Sequence, residues 1–481
     1  MYLGLDLGTT NVKALVVDAE GRTVSEETLP IQRYCLPDGG VEQDLEEIWK
    51  AVCDALCQAA AGAEAGSIRA LGVASQGGAM QVLDADEKPL GRVISWLDCR
   101  GQPFDEQVTA DWGETFLAQH LGRMKSGLSI GQILRLRQAD PRILRPPQRL
   151  AFVGDIIVGR LCGRRAHDAT SLSIAMLYNP WRKCADPEVL RRLELEESQL
   201  PPLVDPRTAA GQLRESVARE TGLRAGIPVS PAIHDQYAAA LGAGAVEDGD
   251  VNFGSGTAWV LLAAASRQDP VVIPEAFLCT HLLPGCYGQM LSLHNGGSAI
   301  DWVLRLLGCA HRRTAEVDAL LDTVPPLSAG LCFWPLLVSG SADLVELPGE
   351  GRIAGLTLRH EPAHLVRAVV EGLACELARH LRSLQRAGFP LRRLFLCGPA
   401  AESRHTPQIV ANVTDLPVLC IHLPGVSAFG AAVLARALVE PGLPLDVLAR
   451  QSSPARFTVS PNQDARRYGK LLARYLQPFG S

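Results

Sequence analysis

Residues 3–13 read Leu-Gly-Leu-Asp-Leu-Gly-Thr-Thr-Asn-Val-Lys, which sets Asp6 and a Gly8-Thr9-Thr10 turn between two apolar runs. Two such runs joined by a short polar turn predict a hairpin of buried strands over 2–7 and 12–17. The turn offers backbone N–H groups and threonine hydroxyls, the donors that a polyphosphate takes. Asp6, at the strand end, faces the same space and suits a hydrated Mg2+, because that ion keeps most of its water shell and takes few carboxylates. An ordinary hairpin with a polar tip satisfies the same pattern. Residues 251–263 repeat the design: a strand, the turn Gly254-Ser255-Gly256-Thr257, then a second apolar strand. Asn252 stands where Asp6 stood, and Gly254 where Gly8 stood. Two related domains, each presenting a hydroxyl-rich turn, would grip a polyphosphate from both sides of a cleft; chance recurrence of a common loop sequence is the other reading.

The 481 residues suffice for two large domains, each with its own core. With 46 basic against 52 acidic residues, the chain carries no footprint for nucleic acid or an anionic membrane. The N-terminus lacks the basic-then-apolar run of a signal peptide, and no stretch reaches the length of a membrane span, so the expected location is the cytoplasm. Thirteen cysteines, without the paired short spacings of zinc sites, read as reduced core residues. Short apolar strands alternate with amphipathic helices, the pattern of an α/β protein. The small-residue and acidic stretch at 242–249 marks the junction, giving domains 1–244 and 245–481. Apolar spacing through Val366, Val369, Val370, Leu373, Leu377, Leu381 and Leu384 predicts a long core helix.

Further motifs share an order with one family. They are the Val41-Glu42-Gln43-Asp44 run ahead of a helix containing Trp49, then Trp96-Leu97-Asp98-Cys99-Arg100, and His234-Asp235-Gln236 before a small-residue stretch. Gly296-Gly297 with Asp301-Trp302, Gly398 through Gln408 to Asn412, and Phe429-Gly430-Ala431-Ala432 follow. Over residues 1 to about 440 the chain resembles the FGGY carbohydrate kinases, of the actin, hexokinase and Hsp70 ATPase superfamily, and its layout is more similar to xylulokinase than to glycerol kinase. The resemblance implies two ribonuclease H-like domains flanking a catalytic cleft, ATP and Mg2+ as cofactors, and phosphorylation of a hydroxyl on a ketose or polyol of five to seven carbons. Asp235 would be the general base, Asp6 would carry the Mg2+ water shell, and Lys13 would approach the γ-phosphate. Nucleotide contacts fall at Thr9, Thr10, Gly254, Ser255, Gly297, Asp301, Gly398 and Ser403. Homodimers are common among such relatives.

The residues support the Asp235 role independently. Positions 228–233 read as a strand, and Asp235 follows it just before a helix starting near Tyr237, where an ionised carboxylate is favoured by the helix N-terminus. An N-cap aspartate explains the position equally well. Lys13 is otherwise a solvated residue at a strand edge. In Ala74-Ser75-Gln76-Gly77-Gly78, both glycines stand where glycerol kinases resemble one another in an Arg-Glu pair and xylulokinases in a Met-His pair. Their small size predicts extra room, makes glycerol an improbable acceptor and leaves xylulose unproven. Candidate sugar contacts are Gln76, Trp96, Asp98, Arg100, Asp235 and Gln236, the polar groups for vicinal hydroxyls and the indole for the apolar face of a sugar. Alternatively, Asp98 and Arg100 pair with each other and Trp96 is core. His120, His281 and His294 are further candidates, more often structural. Where relatives carry a glycine run, Pro399 and Ala400 remove a backbone donor and add a Cβ, which predicts altered nucleotide preference. A regulatory nucleotide-binding protein that has lost transfer is the reading from another class.

Overall fold

The computed structural model describes residues 1–481 apart from 64, 257, 267–271, 275, 294, 309–313, 338–350, 453, 455, 480 and 481. The chain forms two compact units, each discontinuous in sequence. The first comprises Met1–Val246, Ser266–Gly288 and Gly425–Ser453, and the second Glu247–Ala265, Gln289–Pro424 and Pro454–Ser481.

The first unit is built on a six-stranded sheet in the order Gly211–Gln212, Pro228–His234, Leu71–Ser75, Tyr2–Leu7, Asn11–Val17, Thr23–Pro30. The opening hairpin is antiparallel, with Asp6 opposite Lys13, and Leu71–Ser75 runs parallel to Tyr2–Leu7. Leu3, Leu5 and Leu7 are fully buried in a core shared with Ile48, Val52 and Leu56 of the helix Leu45–Ala61. That helix begins where Asp44 accepts from the N–H groups of Glu46 and Glu47, an N-cap that stabilises by about 1 kcal/mol. The helix Val426–Val439 packs backbone to backbone against the same sheet. A Cβ on Gly4 would lie 1.8 Å from the Ala428 carbonyl oxygen, and one on Gly72 1.9 Å from that of Ala431. The same helix meets the helix Asp235–Ala243, with Gly430 set against the Ala238 carbonyl. A second, antiparallel sheet, ordered Tyr34–Cys35, Val41–Gln43, Val93–Ile94, Met80–Leu83, Arg149–Phe152, carries its own core around Met80, Val82, Leu150 and Phe152.

In the second unit the strands run Tyr287–Ser292, most of which lies in this unit, then Trp259–Ala265, Asp250–Ser255, Arg393–Cys397, Val418–Ile421 and Arg456–Val459. Asp250–Ser255 is antiparallel to Trp259–Ala265 and parallel to Arg393–Cys397, which is parallel in turn to Val418–Ile421. From Trp259–Ala265 to Val418–Ile421 these are the order and directions of Asn11–Val17, Tyr2–Leu7, Leu71–Ser75 and Pro228–His234, so the repeat read from the two hairpins is a repeat of topology. The hairpins differ in length. Pairing ends at Leu7↔Val12, one residue past Asp6, but continues to Ser255↔Trp259, three residues past Asn252. Gly254 therefore sits within a strand, where Gly8 sits in a turn. The predicted core helix spans Pro362–Arg386, with proline at its first position, where no N–H is required.

Among the described residues no helix is long and apolar enough to cross a membrane, and the described cysteines are all free thiols.

Candidate active site

In the first unit, the turn after Asp6 is braced from three directions. Gly8 N–H donates to the Asn11 carbonyl (3.0 Å), Ile31 N–H to the Thr10 carbonyl (2.8 Å), and Gln43 Nε2 to the Thr9 carbonyl (3.0 Å). The Trp96 indole N–H donates to Thr9 Oγ1 at 2.8 Å, which orients that hydroxyl while the residue stays 40 % exposed. Trp96 is thus neither core nor free, and part of its surface remains exposed. Gln76 follows directly on Leu71–Ser75; its Nε2 donates to Gln43 Oε1 (3.0 Å), and its buried Oε1 has no partner. Gln43 belongs to the Val41–Asp44 run, and only the fold shows it linking Gln76 to the turn.

Asp235 is the first residue of the helix Asp235–Ala243, directly after the strand Pro228–His234, so the helix starts two residues earlier than the sequence predicts. Burial raises its pKa to about 7 against the opposing hydrogen bonds of the Gln236 backbone and side chain. This corrects the expectation of an ordinary ionised carboxylate: desolvation outweighs the helix terminus. Asp6 is likewise raised to about 7, by burial and then by the charge of Asp235, with Lys13 acting in the opposite sense. Asp6 Oδ1 is buried without a hydrogen-bond partner. His234, whose ring nitrogen Nε2 lies 3.3 Å from Asp235 Oδ1, is buried and driven down to about 3 by desolvation, so its imidazole is neutral.

Other predicted residues are occupied by the fold. Asp98 accepts from Val41 N–H (3.0 Å), Gln132 Nε2 (3.1 Å) and the Arg100 guanidinium (2.6 Å), while Arg100 also reaches Glu42 (2.8 Å). The mutual pairing left open by the sequence is the observed arrangement, and despite burial the Arg100 contact holds the Asp98 carboxyl below its usual range. The room expected from the two glycines is largely taken: a Cβ on Gly77 would meet His234 and Ile174, and one on Gly78 would lie 3.3 Å from Leu128. His120 pairs with Asp186 (2.9 Å), His281 is buried with Nε2 unpartnered, and His294 and Thr257 lie outside the described residues.

In the second unit, Ser255 Oγ donates to the Cys397 carbonyl (2.6 Å) and accepts from Ala400 N–H (2.9 Å), bracing the loop at Gly398, whose φ is +85°. Pro399 occupies the first position of the helix Pro399–Glu402, so its missing N–H removes no intrahelical bond, and the Ala400 N–H is already engaged. Ser403 donates to Asp318 (2.5 Å) and accepts from Thr406 N–H (3.0 Å), a buried hub between two helices. Gly297 opens the helix Gly297–Leu306, with its N–H on the Gly256 carbonyl (3.1 Å) and Asp301 one turn on. Asn252 accepts from the Cys397 thiol (3.3 Å) and keeps a buried Nδ2 without a partner.

The sheet repeated in the two units, each with its opening hairpin, is the actin-like ATPase fold. Residues 1–242 match the FGGY family of carbohydrate kinases, N-terminal domain, and 251–438 its C-terminal domain. The chain is 27% identical over 453 residues to an L-fuculokinase of Salmonella typhi, covering 90% of this chain and 91% of that protein. It is 26% identical over 416 residues to a xylulose kinase of Escherichia coli K12 (86% and 85% covered). A xyloylose kinase structure from Brucella ovis superposes with a TM-score of 0.87 at 26% identity, over 98% and 97% of the two chains. A ligand-bound xylulose kinase from Lactobacillus acidophilus gives 0.90 at 21% identity (99% and 96% covered), a likeness of fold. The chain belongs to the FGGY family of carbohydrate kinases, phosphotransferases that act on an alcohol group.

Proposed function

We propose that the protein transfers the γ-phosphoryl group of ATP to a hydroxyl of a ketose or polyol of five to seven carbons, with Asp235 as general base. The observation that carries this reading is the pair of half-buried carboxylates, Asp6 and Asp235, each raised to about 7. A base of that pKa is deprotonated in a large fraction of molecules at neutral pH yet strong enough to take a proton from an alcohol as the phosphoryl group arrives. Phosphoryl transfer asks mainly for positioning and charge neutralisation. Asp235 accepts the hydroxyl proton, Gln236 holds the carboxylate, Thr9 and Thr10 offer hydroxyls to phosphate oxygens, and Lys13 contributes a point charge. The orphaned Asp6 Oδ1 fits the water shell of Mg2+, which asks for few carboxylates. When bound, that ion supplies neutralisation of phosphate charge. Gly254, Gly297 and Asp301 are proposed nucleotide contacts, with Ser255, Gly398 and Ser403 shaping that side, and the location follows as cytoplasmic. Gln76 and the Trp96 ring face are the sugar contacts best supported, since both retain unengaged surface; Asp98 and Arg100 act by holding their loop.

Xylulose is the first acceptor to test, because the Brucella ovis relative shares both fold and 26% identity. The names of other relatives add L-fuculose, L-xylulose, 3-keto-L-gulonate and glycerol to the panel. The test is ADP release with Mg-ATP across these compounds together with D-ribulose, L-ribulose, sedoheptulose and erythritol. Strong stimulation by one of them, abolished in Asp235→Asn, is the expected result. Turnover of Asp235→Asn near wild type would remove Asp235 as the base.

A further inference from the structure

We propose that His234 is a positioning residue for Asp235, and that its imidazole fills the volume a side chain at position 77 would otherwise occupy, making positions 77 and 234 one coupled determinant of the acceptor site. The proposal rests on the reading of Asp235 as the base. Parallel pairing of the strands Leu71–Ser75 and Pro228–His234 sets His234 beside Ser75, so Gly77, two residues on, passes directly over the ring. A Cβ on Gly77 would lie 2.5 Å from both His234 Cδ2 and Nε2, and 2.7 Å from Ile174 Cγ2, distances real Cβ atoms do not show.

The ring has little freedom to move aside. His234 is 4 % exposed and stands edge-on to Tyr237, with ring centroids 5.9 Å apart. Its backbone N–H donates to Thr170 Oγ1 (3.0 Å), which is itself anchored on Asp168 (2.7 Å). With Nε2 3.3 Å from Asp235 Oδ1 and Nδ1 buried without a partner, the neutral tautomer that fits carries its proton on Nε2. That tautomer sets an N–H against Asp235 Oδ1 at 3.3 Å, a contact short of a well-aligned hydrogen bond, and leaves only a lone pair unpartnered. The backbone and side chain of Gln236 hydrogen-bond the same carboxylate, so the base is held from two residues. The glycines of the 76–78 loop are therefore not a vacated pocket. The volume at 77 is held by a buried residue adjoining the base, so the acceptor meets a glycine loop seated on the imidazole where a longer loop side chain would have been.

The experiment is a double-mutant cycle on Gly77→Ala and His234→Ala, with His234→Gln as the conservative variant. It is read by steady-state kinetics on the acceptor that stimulates ADP release and by thermal unfolding of all variants. His234→Ala is expected to lower kcat about 10- to 100-fold, at or below the least that a general base itself contributes, with the KM for ATP within about threefold. His234→Gln, which keeps a donor, is expected to recover much of the loss. Gly77→Ala is expected to lower melting temperature and turnover in the His234 background and to lower both by clearly less in the His234→Ala background, where only the Ile174 contact remains. A kcat for His234→Ala within about twofold of wild type would overturn the positioning role, and a Gly77→Ala defect unchanged by His234→Ala would overturn the coupling. If Asp235→Asn retained turnover, the base assignment would fall and the positioning role with it, whereas the Gly77–His234 coupling in thermal unfolding would still be measured on its own.

Discussion

Replacing Asp235 by Asn should stabilise the ligand-free protein while abolishing its turnover, and the stabilisation should depend on pH. Burial lifts the folded-state pKa from 3.8 to about 7, a gap of about three units. At 1.36 kcal/mol per unit this is about 4 kcal/mol of penalty on the charged form. The side chain is still 23 % exposed, and discounting for that access leaves roughly 2 kcal/mol. The folded protein holds this proton more tightly than the unfolded chain does, so the contribution to stability falls as pH rises from about 4 to about 7 and is fully unfavourable above that. Asn keeps the shape and removes the charge. In urea unfolding the variant should exceed wild type by roughly 2 kcal/mol at about pH 8, with the difference shrinking towards zero as pH approaches 4. In the coupled assay the same variant should lose about 10²- to 10⁴-fold in kcat. An offset identical at both pH values, or a variant less stable than wild type at about pH 8, would refute the claim that burial strains this carboxylate.

Three other outcomes follow from the geometry. Gly4→Ala and Gly72→Ala drive a Cβ to within 1.8 and 1.9 Å of helix carbonyl oxygens; each should lose about 3 kcal/mol or more, at or beyond the usual range for overpacking, and an unchanged melting temperature would contradict the backbone contact. Asp6→Asn should raise the Mg2+ concentration needed for half-maximal turnover by about tenfold or more, with affinity for metal-free nucleotide little changed, as measured by titration calorimetry. Ser255→Ala frees the Ala400 N–H and the Cys397 carbonyl, worth about 1 kcal/mol each; the KM for ATP should rise several-fold and that for the acceptor should not.

Local patterns were legible in the sequence because both their cause and their effect lie within a few residues. The Asp6 hairpin, its repeat at Asn252, the long helix beginning at Pro362 and the placement of Asp235 at a strand–helix junction all belong to this class. Features depending on packing between distant segments were not. The pKa of Asp235 is set by burial, which reverses the effect read from its helix position. The role of Gly77 depends on which residue pairs beside Ser75, more than 150 positions away, and from sequence it read as empty space. Ser255 and Ser403 carry hydroxyls that suggest ligand contacts, yet each is engaged in bracing a neighbouring segment. The return of the helix Val426–Val439 to the first unit follows from backbone contact at Gly4 and Gly72, for which no local pattern exists.

The most direct test of the central claim is to follow the phosphate itself. The acceptor that best stimulates ADP release is incubated with Mg-ATP and the protein, and phosphorus NMR follows the γ-phosphate in wild type and in Asp235→Asn. The account predicts one new phosphomonoester resonance growing in step with ADP in wild type and absent with the variant. Inorganic phosphate as the sole product, or the same ester formed by Asp235→Asn at a comparable rate, would contradict it.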